Sequence, residues 1–180
     1  KLTSKYGIKC SMRSFHQYNS KKMIDMVLPK LKSNQIISLI SDAGTPTISD
    51  PGSDLIQTCI QNNIIVSSIP GPSAVIGSLV SSGISTDQFS FLGFAPRDRK
   101  TKKTFHERIS KSMETIIFFE SPKRIIKTLS DLIIFIGDRK VSLVRELTKK
   151  NEEIINGNIQ NVLKNLMQKE KILGEITVVI

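Results

Sequence analysis

Apolar residues along the chain fall into two patterns, helical spacing and short continuous runs, and the two alternate. Met23, Ile24, Val27, Leu28 and Leu31 recur at helical spacing, with Pro29 expected to kink or shorten that helix. Ile36 to Ile40 is a nearly continuous apolar run rich in β-branched residues, as expected of a parallel strand covered on both faces. It runs into a loop from Ser41 to Pro46. Asp50 and Pro51 then fit the N-cap and first position of a helix carrying Leu55, Ile56, Cys59 and Ile60. A second strand, Ile64 to Ile69, leads through Pro70-Gly71-Pro72-Ser73-Ala74 into a helix ending near Ser81, and Gly83 to Thr86 reads as a linker. Beyond it the pattern predicts strands over Phe89 to Phe94, Thr115 to Phe119, Val141 to Val144 and Glu175 to Ile180. Between them it predicts a polar helix over Arg99 to Lys111, a helix opened by Ser121-Pro122 and a helix from Ile159 to Met167.

Such alternation predicts an α/β fold of two lobes, residues 1–86 and 87–180, each a mostly parallel sheet flanked by helices. Three strand-to-helix turns, 42–52, 70–74 and 120–122, are expected at the carboxyl edge of their strands, where open α/β sheets bind ligands and helix N-termini offer backbone N–H groups. Each alone reads more readily as a plain tight βα connection than as a ligand site. Together, rich in Gly and Pro, they favour a ligand held by backbone groups and close approach.

Charge sharpens this picture. The net charge is +10, from 26 basic and 16 acidic residues, which favours a polyanionic partner. No Lys or Arg occurs from Ser33 to Thr86, whereas Arg97 to Arg108 holds Arg97, Arg99, Lys100, Lys102, Lys103 and Arg108 against Asp98 and Glu107. Cys10 and Cys59 lack metal-ligand or disulfide-framework spacing, and His16 and His106 stand outside any HExxH context, so no metal is expected. The dinucleotide and phosphate-loop signatures are missing, and Gly71-Pro72-Ser73-Ala74-Val75 lacks the final glycine of a nucleophile elbow. With no apolar run of bilayer length, a soluble cytoplasmic protein is expected.

Ser41-Asp42-Ala43-Gly44-Thr45-Pro46-Thr47-Ile48-Ser49-Asp50-Pro51-Gly52 is followed by Pro70-Gly71-Pro72-Ser73-Ala74, Phe91-Leu92-Gly93-Phe94 and Glu120-Ser121-Pro122-Lys123-Arg124. Arg145-Glu146-Leu147-Thr148-Lys149 and Gly174-Glu175 complete the series. In this order the blocks resemble the ribosomal RNA small subunit methyltransferase I family of the tetrapyrrole methylase-like superfamily. The resemblance implies a two-lobed class III S-adenosylmethionine methyltransferase fold and methylation of a cytidine ribose 2′-hydroxyl in the decoding region of 16S ribosomal RNA. It also implies a homodimer working on 16S ribosomal RNA or the small ribosomal subunit. The family begins with a strand and a Gly-Thr-Pro loop upstream of the position of Lys1, so the chain is expected to be an internal fragment. Lys123 stands where the family more often has His.

S-adenosylmethionine carries a sulfonium cation, so a pocket of backbone groups without nearby Lys or Arg suits it. On the resemblance, its contacts are Asp42, Ala43, Gly44, Thr45, Pro46, Pro70, Ser73, Ala74, Phe119 and Glu120. A ribose hydroxyl is a weak nucleophile that needs alignment and preferably a base, for which Asp42, Glu120 and Glu146 are candidates. Each also has a plain reading: a loop brace, a turn cap and an ion-pair partner of Arg145 or Lys149. RNA contact is expected from Arg97, Arg99, Lys100, Lys102, Lys103, Arg124, Arg145 and Lys149, against the alternative of a solvated basic face. Two rival readings remain: a tetrapyrrole methylase, which needs no basic segment, and a non-catalytic RNA-binding module, which needs no cofactor loops.

Overall fold

The structure, a computed structural model, describes residues 2–180. By compactness the chain divides at Gly71/Pro72 into two units.

In the first unit the helices are α1 (Leu2–Lys5), α2 (Ser20–Lys32) and α3 (Ser53–Gln61). The helix α2 runs through Pro29, whose carbonyl accepts from the Ser33 amide at 3.1 Å, and it buries Met23. In α3, Leu55 and Cys59 lie one turn apart and are buried. Burial pushes the Cys59 thiol up from its ordinary range. The helix α3 starts two residues later than Asp50-Pro51 predicts, because the chain turns at Gly52 with φ 136. A side chain there would also lie 2.6 Å from Leu39 Cδ2.

The strands expected over 36–40 and 64–69 do not form, and among the described residues this unit contains no sheet. Ile36 is 96% exposed and Ile65 91%, so neither run is covered on both faces. An apolar β-branched run expresses a local preference, whereas a strand needs a neighbour to complete its ladder.

The second unit holds a five-stranded sheet in the order β1-β2-β5-β3-β4. Its strands are β1 (Phe89–Phe94), β2 (Thr115–Glu120), β3 (Lys140–Arg145), β4 (Glu153–Asn158) and β5 (Ile176–Val179). Pairing is parallel only between β1 and β2, while β5 lies antiparallel between β2 and β3, and β4 folds back on β3 as a hairpin. The sheet is therefore mixed, not mostly parallel.

The helices α5 (Arg99–Lys111), α6 (Ile125–Ile136) and α7 (Ile159–Met167) cover one face. Phe105, Ile109, Leu129, Leu132, Val162 and Leu166 pack there on Ile116, Phe118, Val141, Leu143, Ile176 and Val178. The helix α4 (Ala74–Ser82) covers the other face, setting Val75 and Leu79 against Ile117 and Val179. Alternation along β2 and β5 thus feeds two cores from one sheet. This packing joins α4 to the sheet unit, so the compact units divide earlier than the 86/87 boundary expected between lobes.

α5, read as polar, is amphipathic in place: Phe105, His106 and Ile109 are buried. The His106 ring lies 4.9 Å from that of Phe135. Burial holds its imidazole below the ordinary range, with Asp131 pulling it up and Lys102 down. The unfolded chain therefore binds a proton at about pH 6.5 that the folded chain refuses, and stability is lost as pH falls through that value. His106→Phe should flatten this acid limb of the melting temperature between about pH 7 and pH 5. An unchanged pH profile in thermal melts would assign the limb to other groups.

Candidate functional site

The 41–52 loop owes its shape to a run of left-handed backbone: Gly44 at φ 75, Thr47 at 74, Ser49 at 55 and Gly52 at 136. Thr47 and Ser49 are not glycines, so the loop carries strain of a kind that clusters at ligand sites. Ser41 Oγ donates to the Ala43 carbonyl at 2.7 Å and accepts from the Ala43 amide at 3.3 Å, and the Ile48 amide bonds to the Thr45 carbonyl at 3.3 Å. A Cβ on Gly44 would meet nothing within 4 Å, leaving the backbone open to close approach. Asp42, Ala43 and Gly44 are exposed, and Thr45 and Pro46 half-buried.

Pro70 and Gly71 end the first unit as exposed irregular chain. In the second unit Ser73 caps α4, its Oγ accepting from the Ile76 amide at 3.4 Å, and Ala74 opens the helix. Gly77, one turn in, packs under Leu147: a Cβ there would lie 2.8 Å from Leu147 Cδ2 and the leucine would have to shift.

At the end of β2, Glu120 is 2% exposed and fully engaged. Its Oε1 accepts from the Ser121 amide at 2.6 Å and from Arg124 Nε and Nη2 at 2.8 and 2.5 Å, and its Oε2 from Thr128 Oγ1 at 2.6 Å. Arg124 also donates to the carbonyls of Ala95 at 2.7 Å and Pro96 at 3.3 Å. Glu120 and Arg124, considered from sequence as a base and an RNA contact, here form one brace between the ends of β1 and β2, buried at Glu120 and half-buried at Arg124.

The third carboxylate, Glu146, sits at φ 52 just after β3. Its Oε1 accepts from the Glu175 amide at 2.8 Å and from Lys149 Nζ at 3.0 Å, and Lys149 reaches Glu175 Oε2 at 2.9 Å. The Glu175 amide first and Lys149 second hold the Glu146 carboxyl below its usual range, while the Glu175 carboxylate first and the Glu146 carboxylate second raise Lys149. A carboxylate so held is a weak proton acceptor at neutral pH. Among the described residues Asp42 is the candidate whose carboxylate is exposed and not engaged in this way.

The cations divide likewise. Arg145 donates to Glu153 Oε2 at 2.9 Å and to the Leu173 carbonyl at 3.0 Å. Burial pushes the Glu153 carboxyl up, but its bonds to Lys169 and Arg145 outweigh that and hold it low. Lys102 leans onto α6, 4.0 Å from Asp131. Arg97, Arg99, Lys100 and Lys103 are exposed. Of these, Arg99, Lys100 and Lys103 line a shallow concavity of about 570 Å³ with Thr104 and Glu107. Asp98 caps this helix through the Thr101 amide at 2.9 Å.

β1 is irregular. Phe91 pairs with Ile117 and Phe94 with Phe119, so one extra residue stands on β1, and Gly93 there has φ 70. The available signal was a glycine inside a phenylalanine-rich strand.

The tetrapyrrole (corrin/porphyrin) methylase family matches residues 4–163. The ribosomal RNA small subunit methyltransferase I of Thermotoga maritima is 42% identical over 99% of this chain and 80% of its own length. That of Bacillus subtilis is 39% identical over the whole chain and 61% of its own length. Among solved structures, a diphthine synthase superposes with a TM-score of 0.69 at 16% identity, over 99% of this chain and 72% of that one. The uroporphyrin-III C-methyltransferase of Thermus thermophilus, complexed with S-adenosylhomocysteine, gives 0.63 at 10% identity, over 96% and 78%. At such low identity these likenesses speak to the fold. The family match over residues 4–163 and the sequence identity to these relatives place the chain in the tetrapyrrole methylase family, among the ribosomal RNA small subunit methyltransferases I.

Proposed function

We propose that the chain catalyses S-adenosylmethionine-dependent 2′-O-methylation of a cytidine ribose in the decoding region of 16S ribosomal RNA, working as a homodimer. The observation that carries this reading is the separation of charge: the outward face of α5 presents Arg99, Lys100 and Lys103, while Ser33 to Thr86 holds no Lys or Arg. A cationic cofactor and a polyanionic substrate need opposite surroundings. The relatives named ribosomal RNA small subunit methyltransferase I support the choice of RNA.

Asp42, Ala43, Gly44, Thr45 and Pro46, with Pro70, Ser73, Ala74 and Phe119, are the proposed cofactor contacts. The open backbone at Gly44 and the cation-free loop fit a sulfonium ligand. When bound, S-adenosylmethionine supplies an activated methyl group. The chain's part is to align the ribose hydroxyl, exclude water and take its proton. Asp42 is the proposed acceptor, since Glu120 and Glu146 are engaged by internal partners. Glu120 contributes to the site by bracing Phe119 and the turn after it.

Exchanging Arg99, Lys100 and Lys103 for Gln together should weaken binding to small-subunit particles and reduce its salt slope by about two to three, close to one for each phosphate no longer neutralised. S-adenosylmethionine affinity, measured by calorimetry on the same variant, should stay unchanged. An unaltered salt slope would make α5 a solvated face and remove the observation on which the RNA reading rests.

A further inference from the structure

The extra residue in β1 has a steric result. In an unbroken strand Phe91 and Phe94 would point to opposite faces, because side chains alternate. Inserting Gly93 in the left-handed region resets that alternation, so Phe94 returns to the face of Phe91. The rings record this: Phe119 lies 4.9 Å from Phe91 and 5.3 Å from Phe94, both edge-on. Phe91 and Phe119 are half-buried against Val75 and Leu79, whereas Phe94 is 58% exposed, the most exposed aromatic ring of residues 72–180. Folding alone does not call for a bulge that turns a phenylalanine outward, since it forfeits apolar burial. Bulges that re-aim a side chain are over-represented beside functional sites.

The mount is rigid. The Ala95 amide bonds to the Phe119 carbonyl at 2.9 Å, and Arg124 holds the Ala95 and Pro96 carbonyls. Exposed Arg97 and Arg99 follow directly along the chain. An aromatic face fixed at a strand end, beside cations that attract phosphate, matches the way proteins hold unpaired nucleotides.

Resting on the RNA reading above, we infer that Phe94 is a stacking platform for an unpaired base of the RNA substrate, with Arg97 and Arg99 engaging the adjoining phosphates. Phe94 is a positioning residue that holds the strand by a base; it takes no part in moving the methyl group or the proton.

The chain contains no tryptophan, so Phe94→Trp installs a single reporter. A cytidine-containing single strand of about twelve RNA nucleotides should quench its fluorescence, and the same strand made abasic should bind without quenching. Phe94→Ala should weaken binding of the intact strand about five- to hundredfold, the range of one base–aromatic stack. Phe94→Tyr should restore it and Phe94→Leu should not, with S-adenosylmethionine affinity unchanged in all. Equal RNA affinity for the wild type and Phe94→Ala, rescue by Leu, or quenching by the abasic strand would overturn the platform. So would a loss that appears instead in S-adenosylmethionine affinity or oligomeric state. If the wild-type chain binds no RNA, the RNA reading itself falls along with the platform.

Discussion

Arg124→Ala should lower the stability of the sheet unit by about 3 kcal/mol, the low end of the range for removing one partner of a buried ion pair. The cost arises on Glu120, which is 2% exposed in the intact protein and would retain only the Ser121 amide and Thr128 hydroxyl as partners. The Ala95 and Pro96 carbonyls lose their donor at the same time. Urea unfolding should show the midpoint fall with little change in slope. Glu120→Gln combined with Arg124→Met should cost less than the sum of the single changes, because no charge is then left buried and unpaired. If Arg124→Ala unfolds at the wild-type midpoint, the brace contributes nothing to stability and Arg124 is available to a ligand.

Gly174→Val should release the Glu146–Lys149–Glu175 cluster. Gly174 has φ 93, where a β-branched residue costs about 1–3 kcal/mol in backbone strain. Its new Cβ would stand 2.6 Å from Glu146 Oε1, so the carboxylate must leave the Glu175 amide and Lys149. Freed, the Glu146 carboxyl should return towards its usual range. In the intact cluster the depressed carboxyl adds stability above its unfolded pKa, lost as pH falls through the folded value. The raised Lys149 adds stability below its unfolded pKa, lost as pH rises through its folded value. Gly174→Val should therefore weaken both limbs, and NMR titration of the Glu146 carboxyl should show its pKa rise. A carboxyl that titrates as before would mean that the loop accommodates the side chain without opening.

The helices and most strands of the second unit were legible because their apolar positions are buried by neighbours inside that unit, so apolar periodicity and structure coincide. β4 was missed: Glu153 to Asn158 carries only Ile154 and Ile155 as large apolar residues, and it is a strand because it pairs along the whole of β3. The runs 36–40 and 64–69 fail in the opposite sense, carrying strand composition without a ladder partner. At the site, a charge run gives the number of cations but not their direction. Lys102 is separated from Lys103 by the helical turn that points it at Asp131, and Arg124 is drawn inward by a glutamate four residues earlier. That spacing was visible in Glu120-Ser121-Pro122-Lys123-Arg124, but only burial turns it into a brace. The Gly93 bulge depends on cross-strand register, which one strand's sequence does not contain.

The most direct measurement is methyl transfer. Small-subunit particles lacking the modification, incubated with the chain and methyl-labelled S-adenosylmethionine, should take label into 16S ribosomal RNA. After alkaline hydrolysis that label should lie in a dinucleotide, because a ribose methyl removes the hydroxyl that alkali needs to cleave the next phosphodiester. Label released in a mononucleotide would mean methylation of a base, and RNA that stays unlabelled while a tetrapyrrole offered in a parallel incubation takes the label would contradict the account outright.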